Sequence, residues 1–343
     1  MLQELFRIPY FGTPIYSYGL MMVCGFLGGL LLARYLARRS RIDPEIFVNC
    51  AIIALVSGIA GARLSHVLEN LGEYSNPQRT FSENFFAAIN IREGGLTFYG
   101  GFLLAFPCCV IYALYKKMPV KRGMDIVAPC LMFGLGFGRI GCYLNGCCEG
   151  AECQISAPLG AQFPYATNPY IRQLGEGKLE ASQLPPAGAS TIDSSGRESP
   201  LSKDAISKTY ASDPAQRDAI LSAVGKLHSN TVYAAQLFST LTAWLIAIFL
   251  VAYYWMPHAP GRVFAMMLMV ESPARFLLEM LRAEPPFVGP NSPVGTLAFL
   301  PNLSFSMVLA VALFLLGIGL WILFRGPADD LTQPEVPPGL VAA

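Results

Sequence analysis

Long apolar segments alternate with short polar ones along most of this chain. A bilayer core about 30 Å thick needs roughly 20 apolar residues in a helix, and seven segments reach that length. They cover residues 15–36, 47–68, 96–115, 125–145, 232–256, 262–282 and 305–325. The second contains Arg63 and His66 and the sixth contains four charged residues, so these two are the weakest candidates. The pattern predicts an all-α membrane protein with about seven transmembrane helices.

Basic residues in the short loops predict how these helices are oriented. Four arginines between residues 34 and 41 follow the first helix, and four lysines and arginines between residues 116 and 122 follow the third. Because basic residues accumulate in cytoplasmic loops, both loops are expected inside. The N-terminus and residues 69–95, 146–231 and 283–304 are then expected outside, and the C-terminus inside. Residues 1–7 lack a cationic stretch before a short apolar core, so no removable signal peptide is expected.

Four regions are predicted along the chain. Residues 1–150 hold the first four helices, residues 232–325 hold the last three, and residues 326–343 form a proline-containing cytoplasmic tail. Residues 151–231 are polar and rich in Ser, Ala, Pro and Gly, which predicts a large insert on the outer face. Within it, Asp213 and Pro214 can begin a helix whose apolar face includes Ile220 and Val224. That face either lies on the membrane surface or covers protein.

Composition narrows the class of partner. The 343 residues are 53% apolar and 14% charged, with a mean hydropathy of +0.45, which is too apolar for an ordinary water-soluble domain. The 24 basic and 23 acidic residues leave no surplus of positive charge for nucleic-acid phosphates. A lipid bilayer is therefore the expected environment, and nucleic acid is not an expected partner.

Nine cysteines are present, too sparsely placed for the dense disulfide framework of a small secreted domain. Cys142, Cys147, Cys148 and Cys153 cluster near the outer end of the fourth predicted helix. Their spacing, Cys-x4-Cys-Cys-x4-Cys, fits poorly with the paired short spacings of zinc sites. A disulfide or apolar packing is therefore favoured over a metal or a covalent role, and no metal or soluble cofactor is expected.

Ionisable residues inside the predicted helices are the main functional candidates, because a charge in a membrane is costly unless it is paired or hydrated. The predicted orientation places four arginines in the outer half: Arg63, Arg139, Arg275 and Arg282. Tyr18 and Tyr99 begin helices at the same level, and Asn145 ends one. Guanidinium groups bind phosphate through two hydrogen bonds and stay charged, so an anionic lipid headgroup is the predicted ligand.

A structural role is the alternative for these residues. Glu279 lies four residues after Arg275 and three before Arg282, so ion pairs along one helix explain part of the group. Arg139 has no acidic residue within one turn on its N-terminal side, which favours a ligand. Gly100 and Gly101 lie at a predicted helix start, where they either allow close packing or expose backbone N–H groups to a phosphate.

Several motifs resemble those of bacterial prolipoprotein diacylglyceryl transferases. The most specific is the segment 138–146, Gly-Arg-Ile-Gly-Cys-Tyr-Leu-Asn-Gly, followed by Gly150. Further matches occur in the order of the family at residues 18–20, 61–63, 94–101, 236–237 and 275–282. The resemblance implies transfer of the diacylglyceryl group of phosphatidylglycerol to the lipobox cysteine of a prolipoprotein, at the outer leaflet of a bacterial cytoplasmic membrane. The insert 151–231 has no matching motif.

The resemblance also implies roles for individual residues. Arg139 and Arg275 are expected to be catalytic, because expulsion of a phosphate monoester requires its charge to be stabilised. Arg63 is expected to assist them, and Glu279 to orient an arginine. The predicted headgroup contacts are Arg139, Arg275, Arg63, Tyr18, Asn145, Glu279, Arg282, Gly100, Gly101 and Gly150.

The sequence departs from the family at several positions. Tyr99, a third catalytic candidate, stands where many relatives have histidine, and a phenol with a pKa near 10 is a poor base at neutral pH. Tyr99 can instead donate a hydrogen bond. A Tyr99 pKa lowered by nearby arginines, help from His66 or His228, and a thiolate formed without a protein base remain alternatives. Cys142 and Cys147 also replace a usual asparagine and a usual acid. Residues 271–274, Glu-Ser-Pro-Ala, stand where relatives tend to have tyrosine and glycines, so the approach to Arg275 is expected to differ.

Two other functions therefore remain open beside the transferase. One is a transporter or carrier that binds an anionic lipid headgroup with the same arginines. An odd number of helices and the absence of a visible repeat argue against a transporter. The other is a catalytically altered paralogue that keeps the lipid site without transfer.

Overall fold

The computed structural model describes residues 4–7, 14–74, 80–90, 97–155, 159–192, 198–282 and 303–327. Within these ranges, the side chains of residues 4–7, 14, 15, 73, 81, 98 and 99 lie outside the description. The described chain is mostly α-helical, with a few short strands. The helices are, in chain order, α1 (Ser17–Arg39), α2 (Pro44–Glu69), α3 (Leu71–Tyr74), α4 (Phe81–Ile89), α5 (Phe98–Tyr115), α6 (Val120–Asn145), α7 (Asn168–Gly175), α8 (Lys203–Thr209), α9 (Pro214–Val224), α10 (Ala235–Tyr254), α11 (Arg262–Glu279) and α12 (Phe305–Leu323).

The strands form three antiparallel pairs, each of two strands. They are β1 (Glu4–Arg7) with β2 (Pro14–Tyr16), β3 (Gly160–Ala161) with β6 (Val232–Tyr233), and β4 (Ser190–Ile192) with β5 (Glu198–Pro200). The pair β3 and β6 joins the two ends of the segment 151–231, so this segment leaves and re-enters the helical part of the protein at one place.

Five described helices are long and apolar enough to cross a membrane, namely α1, α2, α6, α10 and α12. Two further helices, α5 and α11, have 18 residues each and coincide with the third and sixth predicted segments. The sequence-based prediction of an all-α membrane protein is therefore confirmed at the level of a mostly helical chain with several membrane-length helices. The count of seven crossings and their orientation stay predictions.

Local sequence explains where several of these helices begin and end. Asp43 accepts a hydrogen bond from the backbone N–H of Glu45 and Pro44 occupies the first helical position, so α2 begins there. Gly146 ends α6 in a left-handed conformation with φ of 73°. Gly261 precedes α11 with φ of 94°, and a Cβ at this position would lie 2.5 Å from Phe324.

Glycines permit the closest helix contacts, because the absence of a side chain lets neighbouring helices approach. A Cβ at Gly136 would lie 2.2 Å from the indole nitrogen of Trp244, so the indole of α10 fits against α6 only because this side chain is absent. Gly25 of α1 similarly lies against Gly134 of α6, where a Cβ would be 3.1 Å from a carbonyl oxygen. Helix α6 is thus packed closely on two sides.

Helices α6 and α11 run parallel and are joined near their starts. Asp125 of α6 is 1% exposed and accepts hydrogen bonds from the N–H groups of Gly261 (2.6 Å) and Phe264 (3.0 Å) at the start of α11. Arg139 lies 14 residues after Asp125, and Arg275 lies 14 residues after Gly261. With a rise of about 1.5 Å per residue, both arginines are about 21 Å beyond the contact and hence at the same level.

The segment 151–231 forms a folded unit with its own apolar core in its described part. This core is formed by Tyr165, Tyr170, Leu174, Leu179, Ala189, Ile206, Ile220 and Val224. The predicted helix begins as expected, because Asp213 accepts a hydrogen bond from the N–H of Gln216 at 3.0 Å. Its apolar face is buried in this core, so the alternative that it covers protein is confirmed and the alternative that it lies on the membrane surface is wrong.

Candidate functional site

A cavity of about 310 Å³ lies between α6, α10, α11 and α12. Its charged lining residues are Arg139 of α6 and Glu271 and Arg275 of α11, and Ser306 of α12 joins them. The other lining residues are mostly apolar and include Leu135, Ile246, Leu309, Ala310 and Leu313. A cavity with both charged and apolar walls suits an amphiphilic anion. The structure thus brings together Arg139 and Arg275, the two arginines predicted to be catalytic.

Glu279 lies between two of the predicted arginines. Its Oε2 is 3.4 Å from Nη2 of Arg275 and 3.3 Å from Nη1 of Arg282. The same Nη2 of Arg275 donates a hydrogen bond to the hydroxyl of Ser306 at 3.3 Å. The Glu279 side chain is only 1% exposed, and its Oε1 has no hydrogen-bond partner among the described residues. Glu279 is therefore close enough to orient either arginine, and that role stays a prediction.

Arg139 has a hydrogen-bonding group that is not satisfied by the protein. Its Nε is buried and has no hydrogen-bond partner among the described residues. The guanidinium interacts electrostatically with Arg275 and Glu271 across the cavity. Buried donors are nearly always paired in folded proteins, so an unpaired one is unusual. Because Arg139 also lines the cavity, its guanidinium is a candidate partner for an anionic ligand there. With Arg282 and Glu279 included, three guanidinium groups face two carboxylates, which leaves one positive charge for an anion.

Gly150 joins the segment after α6 to the end of α11. Its N–H donates a hydrogen bond to the carbonyl of Tyr233 at 3.0 Å, and it forms an isolated β-bridge with Arg282. A Cβ here would lie 2.5 Å from Cβ of Tyr233 and 2.7 Å from the carbonyl oxygen of Leu281, so a side chain does not fit. Gly150 therefore has a structural reason to be glycine, and its predicted headgroup contact stays a prediction.

Two contacts that sequence reasoning missed hold the same segment. Arg172 of α7 lies 3.2 Å from Oε1 of Glu149, which is buried, and also donates to the carbonyl of Gly150 at 3.4 Å. Gln236, which is 1% exposed, donates through Nε2 to the carbonyl of Cys147 at 2.8 Å. The sequence does not indicate a role for Arg172, because this residue belongs to the insert 151–231, which contains no motif of the family. Gln236 was part of a matched motif, but its partner lies 89 residues away.

Tyr18 and Asn145 lie near the same end of α6. A Cβ at Gly141 would be 3.0 Å from Cδ2 of Tyr18, so the Tyr18 ring packs directly on α6, and Tyr18 interacts electrostatically with Arg139. Asn145 is within hydrogen-bonding reach of the Cys147 thiol. Both residues thus lie near the end of α6, and their predicted contacts with a headgroup stay predictions.

The thiols after α6 form a compact group. The Sγ atoms of Cys142, Cys147 and Cys148 all lie within 4.8 Å of one another. Hydrogen bonds from the Cys142 and Cys147 thiols, together with the nearby Arg282 and Arg139, lower the pKa of the Cys148 thiol against the opposing effect of burial. None of the nine cysteines, all of which are among the described residues, forms a disulfide.

Arg63 has a different set of contacts. It is 8% exposed, and its guanidinium donates to the carbonyls of Ala88 (2.7 Å) and Ala87 (2.8 Å) near the end of α4. It also lies 5.2 Å from the centre of the Tyr74 ring. Arg63 is not among the residues that line the cavity, and these contacts hold α4 against α2. Its predicted assistance with a phosphate stays a prediction.

Gly100 and Gly101 lie at the contact between α5 and α2. A Cβ at Gly100 would be 2.2 Å from Cβ of Ser65, and one at Gly101 would be 2.9 Å from the carbonyl oxygen of Gly58. Close packing, one of the two alternatives, therefore accounts for both glycines, while their contact with a phosphate stays a prediction. The side chain of Tyr99 lies outside the described residues.

Neither histidine considered as an alternative base lines the cavity. His66 is half-buried near the end of α2, with its ring beside Asn70 and 6.1 Å from the Tyr74 ring. His228 is exposed, and its Nδ1 lies 2.9 Å from the carbonyl of Lys226. Glu271 is the one carboxylate among the described residues that line the cavity.

Comparison with known proteins gives one consistent result. A sequence profile described as prolipoprotein diacylglyceryl transferase matches residues 3–323. A phosphatidylglycerol–prolipoprotein diacylglyceryl transferase of Xanthomonas campestris is 25% identical over 328 residues, which are 95% of this chain and 92% of that protein. One of Clostridium tetani is 24% identical over 80% of this chain and 84% of its own length. One of Rhodopirellula baltica is 30% identical over 61% of this chain, but this match spans only 45% of that longer relative.

Proposed function

The chain belongs to the prolipoprotein diacylglyceryl transferase family, and on this basis we propose that it transfers the diacylglyceryl group of phosphatidylglycerol to the lipobox cysteine of prolipoproteins. This reaction is the first step of bacterial lipoprotein maturation. The observation that carries the proposal is the cavity lined by both Arg139 and Arg275, whose guanidinium groups can bind a phosphate.

The reaction defines what the site has to do. The cysteine sulfur attacks the terminal glyceryl carbon of the lipid, a carbon–sulfur bond forms, and the carbon–oxygen bond to phosphate breaks. The electron pair of that bond leaves with glycerol phosphate, whose growing negative charge needs fixed positive groups. Arg139 and Arg275 supply two guanidinium groups at one level of the cavity, and Ser306 and Glu279 hold that of Arg275 in place.

The thiol proton needs an acceptor. Among the described residues that line the cavity, Glu271 is the group that can take it, because the other charged lining residues are arginines. Glu271 and Arg275 are four residues apart and lie on one face of α11. We assign the proton to Glu271, and Tyr99 stays a candidate hydrogen-bond donor to the headgroup.

Seven crossings fit this function, with the N-terminus outside and the C-terminus inside the bacterial cytoplasmic membrane. Helices α5 and α11, with 18 residues each, are about 27 Å long, close to the thickness of a bilayer core. This orientation puts the ends of α6 and α11, the arginine cavity and the unit formed by 151–231 at the outer leaflet, and residues 326–343 inside. Alkaline phosphatase fused after Gly177 should be active, and a fluorescent protein fused at the C-terminus should fluoresce; the reverse pattern would contradict the orientation.

Transfer can be measured directly. Purified protein in phosphatidylglycerol liposomes is given a lipobox peptide, and the peptide is analysed by mass for an added diacylglyceryl group. The same peptide with serine in place of cysteine is the control and should gain no mass. Phosphatidylglycerol binding without any adduct on the cysteine peptide would instead support a lipid carrier or a catalytically altered paralogue.

Two substitutions test the arginines within this assay. Arg139→Ala and Arg275→Ala should each lower the transfer rate at least about 100-fold, which is the usual effect of removing one group that stabilises a developing anion. Arg217→Ala is the matched control, because Arg217 lies on α9 and pairs with Asp218 at 2.9 Å. Wild-type rates in both cavity variants would refute the proposed phosphate site.

A further inference from the structure

Cys142 and the adjacent pair Cys147 and Cys148 lie within one small volume after folding. Cys142 lies in the last turn of α6, and Cys147 and Cys148 follow the left-handed Gly146 that ends this helix. The N–H of Cys147 donates to the carbonyl of Cys142 at 3.1 Å, so the chain folds back on the end of the helix. As a result the three Sγ atoms lie within 4.8 Å of one another. The linear spacing of these cysteines fits a zinc site poorly and does not reveal this arrangement.

The backbone is held in an unfavourable conformation at this place. Cys148 has φ of 60°, a left-handed value that residues with a Cβ rarely adopt outside Asn and Asp. Such conformations persist where surrounding contacts impose them, and they concentrate at ligand sites. Here Gln236 binds the carbonyl of Cys147 and Arg172 binds Glu149, so contacts on both sides of Cys148 hold the turn.

We propose that Cys142, Cys147 and Cys148 form a binding site for a thiophilic metal ion of the zinc class. All three thiols are half-buried, so they are shielded but still reachable by an ion. Zinc–sulfur bonds of about 2.3 Å place tetrahedral sulfurs about 3.8 Å apart, so the cluster needs to contract by no more than about 1 Å. A disulfide uses only two of these thiols and gives no reason for the third to converge with them.

The charges around the cluster match this ligand. Binding a divalent ion releases three thiol protons to water and leaves a complex of three thiolates with one net negative charge. Arg282 and Arg139 both act electrostatically on Cys148, so their guanidinium groups offset this charge. Three protein ligands leave the fourth metal position for a water molecule or another small ligand. The site lies at the end of α6, beside Arg139 but separate from the lining of the cavity.

Metal content tests the proposal on the full chain. Protein is purified in detergent with a phosphine reductant, incubated with zinc chloride, desalted and analysed by mass spectrometry for metals. Wild-type protein should retain one equivalent of zinc, and Cys142→Ser, Cys147→Ser and Cys148→Ser should each lose most of it. Cys153→Ser is the matched control and should retain zinc, because Cys153 lies outside the cluster and its thiol points to the carbonyl of Ile155.

A second measurement uses only wild-type protein, so it remains informative if the cysteine variants fail to fold. In wild-type protein, zinc should protect three thiols from alkylation, and peptide mapping should identify them as Cys142, Cys147 and Cys148. Absence of zinc from the reduced wild-type protein, protection of other cysteines, or a disulfide within the cluster in the protein as isolated from the membrane would each overturn the proposal. Neither measurement depends on transfer, so failure of the metal site and failure of the proposed transferase activity are distinguishable.

Discussion

The contact between Asp125 and the start of α11 sets the level at which Arg139 and Arg275 face each other. Asp125 is almost fully buried and accepts two backbone hydrogen bonds, from Gly261 at 2.6 Å and from Phe264 at 3.0 Å. Asp125→Ala leaves both donors buried without a partner. Each unsatisfied donor costs about 1–3 kcal/mol, so we expect a loss of about 2–6 kcal/mol in the free energy of unfolding.

A matched control isolates the effect of this contact. Asp213 also caps a helix, but it is exposed and accepts from one N–H group, that of Gln216. Asp213→Ala should therefore cost about 1 kcal/mol, the usual value for losing an exposed N-cap. Unfolding midpoints in detergent should fall clearly further for Asp125→Ala than for Asp213→Ala.

The same variants test the link from this contact to the site. Asp125 is about 21 Å along α6 from Arg139, too far to contact a headgroup. Asp125→Ala should nevertheless weaken phosphatidylglycerol binding and transfer, because α11 is no longer held in register with α6, whereas Asp213→Ala should leave both unchanged. Equal midpoints for the two variants would refute the energetic argument. A destabilised Asp125→Ala protein with wild-type transfer would refute the register argument.

Three further predictions concern packing, proton transfer and pH. Gly100→Ala should lower the unfolding midpoint, because its Cβ would lie 2.2 Å from Cβ of Ser65, whereas Gly319→Ala, with open space around it, should not. Glu271→Gln keeps the shape of the side chain but accepts no proton, so the initial rate of transfer should fall about 100-fold or more while phosphatidylglycerol binding is retained. Burial raises the pKa of Tyr165 from 10.0 to about 12, so its contribution to stability is present below pH 10 and is lost as the pH rises towards 12. Tyr165→Phe should flatten this dependence when unfolding midpoints are measured across that range.

Each of these predictions has an outcome that contradicts it. Equal midpoints for Gly100→Ala and Gly319→Ala would show that α2 and α5 can separate without cost. A wild-type transfer rate in Glu271→Gln would show that another group, such as Tyr99 or water, accepts the thiol proton. An unchanged slope in Tyr165→Phe would assign the alkaline loss of stability to other groups.

The sequence predicts the long helices well because membrane length and apolar composition are local properties. Each of the seven predicted segments coincides with a helix, with boundaries that differ by a few residues. Contacts between distant residues are not local and leave no such pattern. Asp125 is one acid near the start of an apolar helix, and its partner Gly261 lies 136 residues later, so nothing in either segment indicates the other.

In the candidate site, too, local features are predictable from the sequence and contacts between distant residues are not. Arg139 and Arg275 are predictable because a charge inside an apolar helix needs a partner, and the structure places both on one cavity. Arg63 satisfies the same rule, but its partners include backbone carbonyls of a short helix that the sequence shows only as part of a loop. The convergence of the thiols depends on the left-handed turn at Gly146, which the linear spacing of the cysteines conceals.

Helix α12 forms one wall of the cavity, and this determines when during synthesis the cavity is completed. Five lining residues come from this helix, namely Phe305, Ser306, Leu309, Ala310 and Leu313. A ribosome delivers α6, α10 and α11 to the membrane before α12, so Arg275 enters the bilayer before its partner Ser306 does. The cavity stays open to surrounding lipid on that side until α12 packs against α11. The cavity is therefore complete only when the last of these four helices is in place.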